Sequence, residues 1–186
     1  LVIKMNEYKK DELRKVQLTL VEILDEFVRI CNKYKLTYFL VGGTALGAVR
    51  HAGFIPWDDD IDVAMPRCDY EKFLDIARDE LDDKYFLQYE KTDKNYYLGF
   101  AKIRKNNTLF GTKGYEERTT HQGFFFDIFP IDYNQNRYSK KLRLEVILAR
   151  SIIETLKYKN KNLYFKHLRY KFLSIPFIPF NNRFFT

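Results

Sequence analysis

Four aspartates, Asp58, Asp59, Asp60 and Asp62, fall within five positions of the stretch FLVGGTALGAVRHAGFIPWDDDIDVAMPRCDY, residues 39–70. Carboxylates this close repel one another strongly wherever water is scarce, and a divalent cation is the natural partner. The alternation IDVAM reads as a strand. Period two then places Asp60, Asp62 and Ala64 on one face, with Ile61 and Val63 on the other. Carboxylate oxygens are hard ligands that suit Mg²⁺ or Mn²⁺, ions that usually also hold substrate phosphates. The competing reading is an acidic turn, solvated and idle. Pro56 and Trp57 before it, and the apolar strand after it, favour chemistry.

Gly42 and Gly43 end a strand read over Tyr38–Val41. Glycine permits a tight turn and a close approach of backbone to ligand. With Thr44 the pair can offer amide N–H groups and a hydroxyl to a phosphate. A Gly-Gly turn alone more often just connects two elements; followed by Asp-x-Asp on a strand, it is a more specific signal.

The segment GGTALGAVRHAGFIPWDDDIDVAMPRCDYEKF resembles the signature of the LicD family of phosphotransferases, which includes fukutin-related relatives. AKIRKNNTLF (101–110) and GFFFDIFPID (123–132) extend the likeness, which covers about residues 10–132. The resemblance implies a nucleotidyltransferase-like fold. It implies transfer of phosphocholine or phosphoribitol from a cytidine-diphosphate donor to a glycan. By the same resemblance Gly42 and Gly43 match the phosphate-side turn, Asp60 and Asp62 the metal pair, and Asp127 a third carboxylate. The gap between the glycines and Asp60 reads as an inserted loop carrying Arg50 to Trp57.

GFFFDIF reads as an aromatic strand ending at Pro130, with Phe124 and Phe126 on one side and Phe125 and Asp127 on the other. A carboxylate between Phe126 and Ile128 is partly buried and needs a partner. A metal would supply one; a turn amide is the alternative. Asp132 reads as structural. Arginine's planar fork matches phosphate oxygens, so Arg50 and Arg67 are the preferred donor contacts, with Arg104 or Lys102 behind them. For each, a salt bridge or a solvated side chain is the plain alternative. His51 reads as a loop histidine rather than a proton shuttle, and Trp57 as packing.

At 186 residues the chain has room for one domain with a real core. No run of 18 apolar residues occurs, so no membrane-crossing helix is expected, and no signal-peptide pattern opens the chain. Cys31 and Cys68 form neither a disulfide framework nor a zinc spacing. A cytoplasmic setting is expected, at the inner face of the membrane if the tail touches lipid. The expected architecture is α+β, a small mixed sheet flanked by helices. Helices are read over Glu7–Tyr34, Asp69–Leu81, Ser139–Lys157 and Lys161–Ser174. Strands are read in Tyr85–Phe110, around an Asp93-Lys94-Asn95 turn, and over Gly123–Ile128. Gly111–Gln122 reads as a mobile polar loop.

Charge is uneven. Residues 133–186 hold 12 Lys and Arg against two Glu, a net of +10, whereas residues 1–132 carry a net of −3. The expected division is a catalytic core over 1–132 with a basic, aromatic-rich helical segment over 133–186 packed on it as one structural domain. That segment suits contact with an anionic membrane surface; core packing, or cover for a further portion of chain, are the alternatives. A core of net negative charge argues against nucleic acid as partner. The expected partners are a CDP-linked donor and a glycan or lipid-linked glycan acceptor. A nucleotidyltransferase acting on RNA, protein or a small molecule, and a non-catalytic binding module, remain open.

Overall fold

The computed structural model describes residues 10–110 and 120–133, together with Leu144, Ile147 and Leu148 in helix. The chain divides into two units, Leu1–Asp132 and Tyr133–Thr186. The first unit holds the fold described below. The expected start of the first helix at Glu7, most of the 111–122 loop and most of the two C-terminal helices fall outside the described residues.

The described elements are α1 (Lys10–Tyr34), β1 (Phe39–Leu40), α2 (Gly42–His51), β2 (Asp62–Pro66), α3 (Arg67–Glu80), β3 (Tyr85–Gln88), β4 (Ala101–Lys105) and β5 (Phe125–Ile131). The strands form one mixed sheet in the order β1-β2-β5-β4-β3. Only β2 and β5 run parallel; the other neighbours are antiparallel. The architecture is therefore the expected α+β arrangement, a small mixed sheet with helices against it.

One face of the sheet makes the core. Ile61, Val63 and Met65 around β2, Ala101 and Ile103 of β4, and Phe126 and Ile128 of β5 meet Leu20, Ile23, Phe27 and Ile30 of α1 and Tyr70, Phe73 and Leu74 of α3. The α1 residues recur at steps of three and four, as an apolar helix stripe must. Phe27 sits at the centre, its ring edge-on to Phe73, Phe126 and Tyr38 at 5.0–5.3 Å between centroids. The other face carries the alternate residues of the same strands, among them Asp62, Asp127, Lys102 and Gln88.

Four local expectations are corrected. The glycines open a helix that runs to His51, so Arg50 and His51 lie in its last turn and the expected loop begins only at Ala52. Helix α3 begins two residues earlier than expected. Pro66 is its N-cap, while the Asp69 carboxylate accepts from the Thr37 amide at 3.2 Å. Strand β5 runs through Pro130 to Ile131. The Asp127 amide bonds Ile61 on the β2 side, so alternation turns the Pro130 nitrogen toward β4. That strand has no partner beyond Ile128, and no ladder bond is lost there. Trp57 is 67% exposed and does not pack.

Candidate active site

The site is a row across the sheet. Asp62 of β2 pairs in register with Asp127 of β5, Asp127 with Lys102 of β4, and Lys102 with Gln88 of β3. Directly paired residues share a face, and neighbouring strands lie about 4.8 Å apart. Two carboxylates, an ammonium and an amide therefore stand side by side. The Lys102 ammonium donates to Asp127 Oδ1. It also lies 3.7 Å from the Phe125 ring centroid and 5.2 Å from that of Phe100.

Helix α2 points its N-terminus at the head of this row. Gly42 has φ +56°, a conformation that L side chains rarely adopt. A Cβ there would meet Asp62 Oδ2 at 3.1 Å, and one on Gly43 would meet Asp58 Oδ2 at 2.8 Å. The glycines are thus where two carboxylates come up against backbone. The first amides of a helix lack partners within it and favour negative charge. The Thr44 hydroxyl accepts from the Asp62 amide at 2.9 Å, which fixes β2 against α2. Expected as a turn toward phosphate, Gly42-Gly43-Thr44 is the first turn of a helix that faces acidic side chains.

The acidic loop is tied down from below. Gln17 of α1, itself buried, donates from Nε2 to the Asp58 carbonyl at 2.9 Å. Burial, and then repulsion from Asp60, push the Asp58 carboxyl up to about 6. Burial also pushes Asp62 to about 6, helped by Asp60 and Asp127 and opposed by Lys102. Burial raises Asp127 and lowers Lys102, and the attraction between the two opposes both shifts. Asp58, Asp60, Asp62 and Asp127 therefore form one electrostatic cluster. Asp60 precedes β2 and is exposed. Among the described residues no three acidic, histidine or cysteine side chains are set as a ligand shell. The donor chemistry, hard oxygens that raise one another's proton affinity, fits a divalent cation.

The arginines go elsewhere. Arg67 forks onto Asp132 at 2.7 and 2.8 Å and reaches Glu71 at 3.1 Å. It follows the far end of β2, five residues or roughly 16 Å from Asp62. Arg50 is exposed, eight residues or roughly 12 Å along α2 from the glycines. Arg104 lies on the same face as Lys102 but is spent on structure. It donates to Gln88 Oε1 at 2.5 Å and to the Gly123 carbonyl at 2.6 Å, and it stacks 4.5 Å from Phe125. The structure thus brings Asp60, Asp62, Asp127, Gly42, Gly43 and Thr44 together, and leaves Arg50 and Arg67 apart.

Two features have a setting that sequence reasoning did not anticipate. One is the Lys102–Asp127 pair; the alternation in AKIRK, with Ala101 and Ile103 fully buried, was the readable signal for the side Lys102 takes. The other is Tyr96. Its hydroxyl is buried without a hydrogen-bond partner among the described residues, within electrostatic reach of Asp127 and Arg104.

Residues 35–181 match the family model described as "LicD/FKTN/FKRP, nucleotidyltransferase domain". The chain belongs to the LicD family. It is 42% identical over 126 residues to the lipopolysaccharide cholinephosphotransferase LicD of Haemophilus influenzae, a match covering 67% of this chain and 46% of that protein. An uncharacterized protein of Rickettsia typhi is 37% identical over 62 residues, covering 33% of this chain and 20% of its own. Another, of Rickettsia prowazekii, is 32% identical over 77 residues, covering 41% and 29%. The chain spans about half the length or less of these curated relatives. Among the described residues of this LicD-family chain, no helix is long and apolar enough to cross a membrane.

Proposed function

We propose that this chain carries the catalytic core of a metal-dependent phosphotransferase. It would move phosphocholine, or alternatively phosphoribitol, from a CDP-linked donor to a sugar hydroxyl of a surface glycan or its lipid-linked precursor. One observation carries the reading. Asp62 and Asp127 stand side by side on parallel strands against the N-terminus of α2, in a chain 42% identical to a lipopolysaccharide cholinephosphotransferase.

Asp60 and Asp62 would hold Mg²⁺ or Mn²⁺, with Asp127 beside them. A divalent ion there would neutralise charge on the transferred phosphoryl group and the leaving nucleotide. The chain's own residues do the rest. The first-turn amides of α2 hold a phosphate oxygen beside the glycines, with the Asp58 and Asp62 carboxylates as neighbours that a divalent ion would neutralise. Asp127 accepts the proton of the acceptor hydroxyl as its oxygen attacks the distal phosphorus. The phosphorus–oxygen bond to cytidine monophosphate breaks, and that nucleotide leaves. A choline headgroup would want an aromatic face; Tyr89 and Tyr96 are buried, Tyr97 is half-buried and Trp57 is exposed.

The test is product analysis with CDP-choline and CDP-ribitol, lipopolysaccharide and Mg²⁺. Cytidine monophosphate should be released and the phospho-alcohol should remain on the glycan. Pyrophosphate released from a nucleoside triphosphate, with nucleotide left on the acceptor, would replace this reading with nucleotidyl transfer. The net +10 of residues 133–186 would favour an anionic membrane surface. Co-sedimentation with anionic vesicles, lost steeply with added salt, would support that contact; no binding at low salt would remove it.

A further inference from the structure

We infer that Lys102 is the resident counter-cation of the carboxylate row: it holds Asp127 in the metal-free protein, and a divalent cation must compete with it for that carboxylate. The inference rests on the metal-binding part of the proposed function, and it assigns Lys102 as a positioning residue acting through Asp127.

Lys102 is 6% exposed, between Ala101 and Ile103, both fully buried in the core. Its backbone register fixes it opposite Asp127. Its ammonium donates to Asp127 Oδ1, and the rings of Phe125 and Phe100 wall it in. A lysine this deep is tolerated only with a counter-ion. Among the described residues Asp127 is its one ion-pair partner, and the next carboxylate along the row is Asp62. Aromatic faces add attraction for a cation and exclude water from it.

The arrangement has a direct consequence. A divalent ion held by Asp62 would stand next to Asp127 in the row, with an ammonium already on the far side of that carboxylate. The two positive charges repel, and both draw on Asp127. Lys102 therefore weakens metal binding in the free protein and holds the Asp127 side chain in place without metal. Its loss should leave Asp127 for the metal alone.

The test is Mn²⁺ binding by calorimetry at pH 7.5, with no donor or acceptor present. In Lys102→Met, a straight apolar chain replaces the ammonium. Mn²⁺ should bind about tenfold tighter than to the unaltered protein, and saturating Mn²⁺ should raise Tm further than it does there. Adding Asp127→Asn to Lys102→Met should return the affinity to near the starting value. Unchanged or weaker binding in Lys102→Met would overturn the inference. So would tighter binding that survives Asp127→Asn, because Lys102 would then act by general charge and not through Asp127. If Lys102→Met does not fold, Lys102→Gln keeps a donor to Asp127 without the charge and should show the same tightening. Absence of Mn²⁺ binding in every variant would overturn both this inference and the metal part of the proposed function. A normal affinity shift in a protein that transfers no phospho-alcohol would overturn that function alone.

Discussion

The two faces of the sheet are made from alternate residues of the same strands, yet different physics holds each. Behind β5, Phe126 and Ile128 are fully buried against Phe27 and its neighbours, and removal from water drives that packing. In front of it, Asp127 stands between Asp62 and Lys102, where each charge is costly by itself and tolerable only through its neighbours. The apolar face supplies the stability, and the polar face draws on it. Four carboxylates whose one ion-paired cation among the described residues is a borrowed lysine are an unstable arrangement, held in place because β2 and β5 are fixed from behind.

The sharpest way to break the comparison is to cut each face once. Asp62→Ala should lower Mg²⁺-dependent turnover by about a thousandfold, since its ligand oxygen is lost, while Tm of the metal-free protein stays level or rises because repulsion is relieved. Unchanged Mn²⁺ affinity in this variant would remove Asp62 from the metal site. Phe27→Ala should instead destabilise the fold by about 3–5 kcal/mol, through lost burial and a cavity at the centre of the core. Urea unfolding measures that directly, and a loss under 1 kcal/mol would show that Phe27 is not the centre of the core.

Proton linkage resolves the polar face more finely. Asp58 and Asp62 are raised from 3.8 to about 6 in the fold. Between these values the folded state binds more protons than the unfolded one, so stability of the metal-free protein should fall as pH rises from about 4 to about 6. His121 works in the opposite direction. Burial holds it below 6.5, the unfolded state protonates first, and stability is lost as pH falls through 6.5. Asp62→Asn should flatten the first slope and leave the second. A slope across the lower window that is the same in Asp62→Asn as in the unaltered protein would refute the clustering of these acids.

Two smaller effects sharpen the picture. Arg67→Lys should change stability by no more than about 1 kcal/mol, because its pair with Asp132 is exposed. Donor affinity, read by calorimetry, should be unaltered. A clear loss of donor binding would return Arg67 to the site. Tyr96→Phe removes a hydroxyl that has no hydrogen-bond partner among the described residues. It should raise Tm slightly, since nothing is broken and an unmet polar group is gone; a fall would reveal a bonded water.

Much of this was legible in the chain. The alternation through Asp62-Val63-Ala64-Met65 and through Phe126-Asp127-Ile128 announced both strands and the side each carboxylate takes. The Asp93 turn was legible too, with the Tyr96 amide bonded to the Asp93 carbonyl at 2.9 Å. What escaped depended on register or context. Helix α2 contains three glycines, a threonine and a valine, residues that hold helices weakly, and it forms because Thr44 and the loop behind it are anchored to β2. Lys102 and Asp127 lie 25 positions apart, and only strand pairing makes them partners. Arg67 and Asp132, at a separation of 65, are joined by the same parallel pairing of β2 with β5.

That parallel pairing also sets an order of events. Asp62 and Asp127 meet only when a long intervening stretch, with α3, β3 and β4 inside it, has been closed into a crossover. Closing so long a loop is slow, and its entropy cost comes before any contact rewards it. On a growing chain the glycines, the acidic loop and β2 emerge first and must wait. Until β5 arrives, β2 has one strand edge open and its carboxylates unopposed by Lys102. The row that would do the chemistry is completed only once β5 has docked.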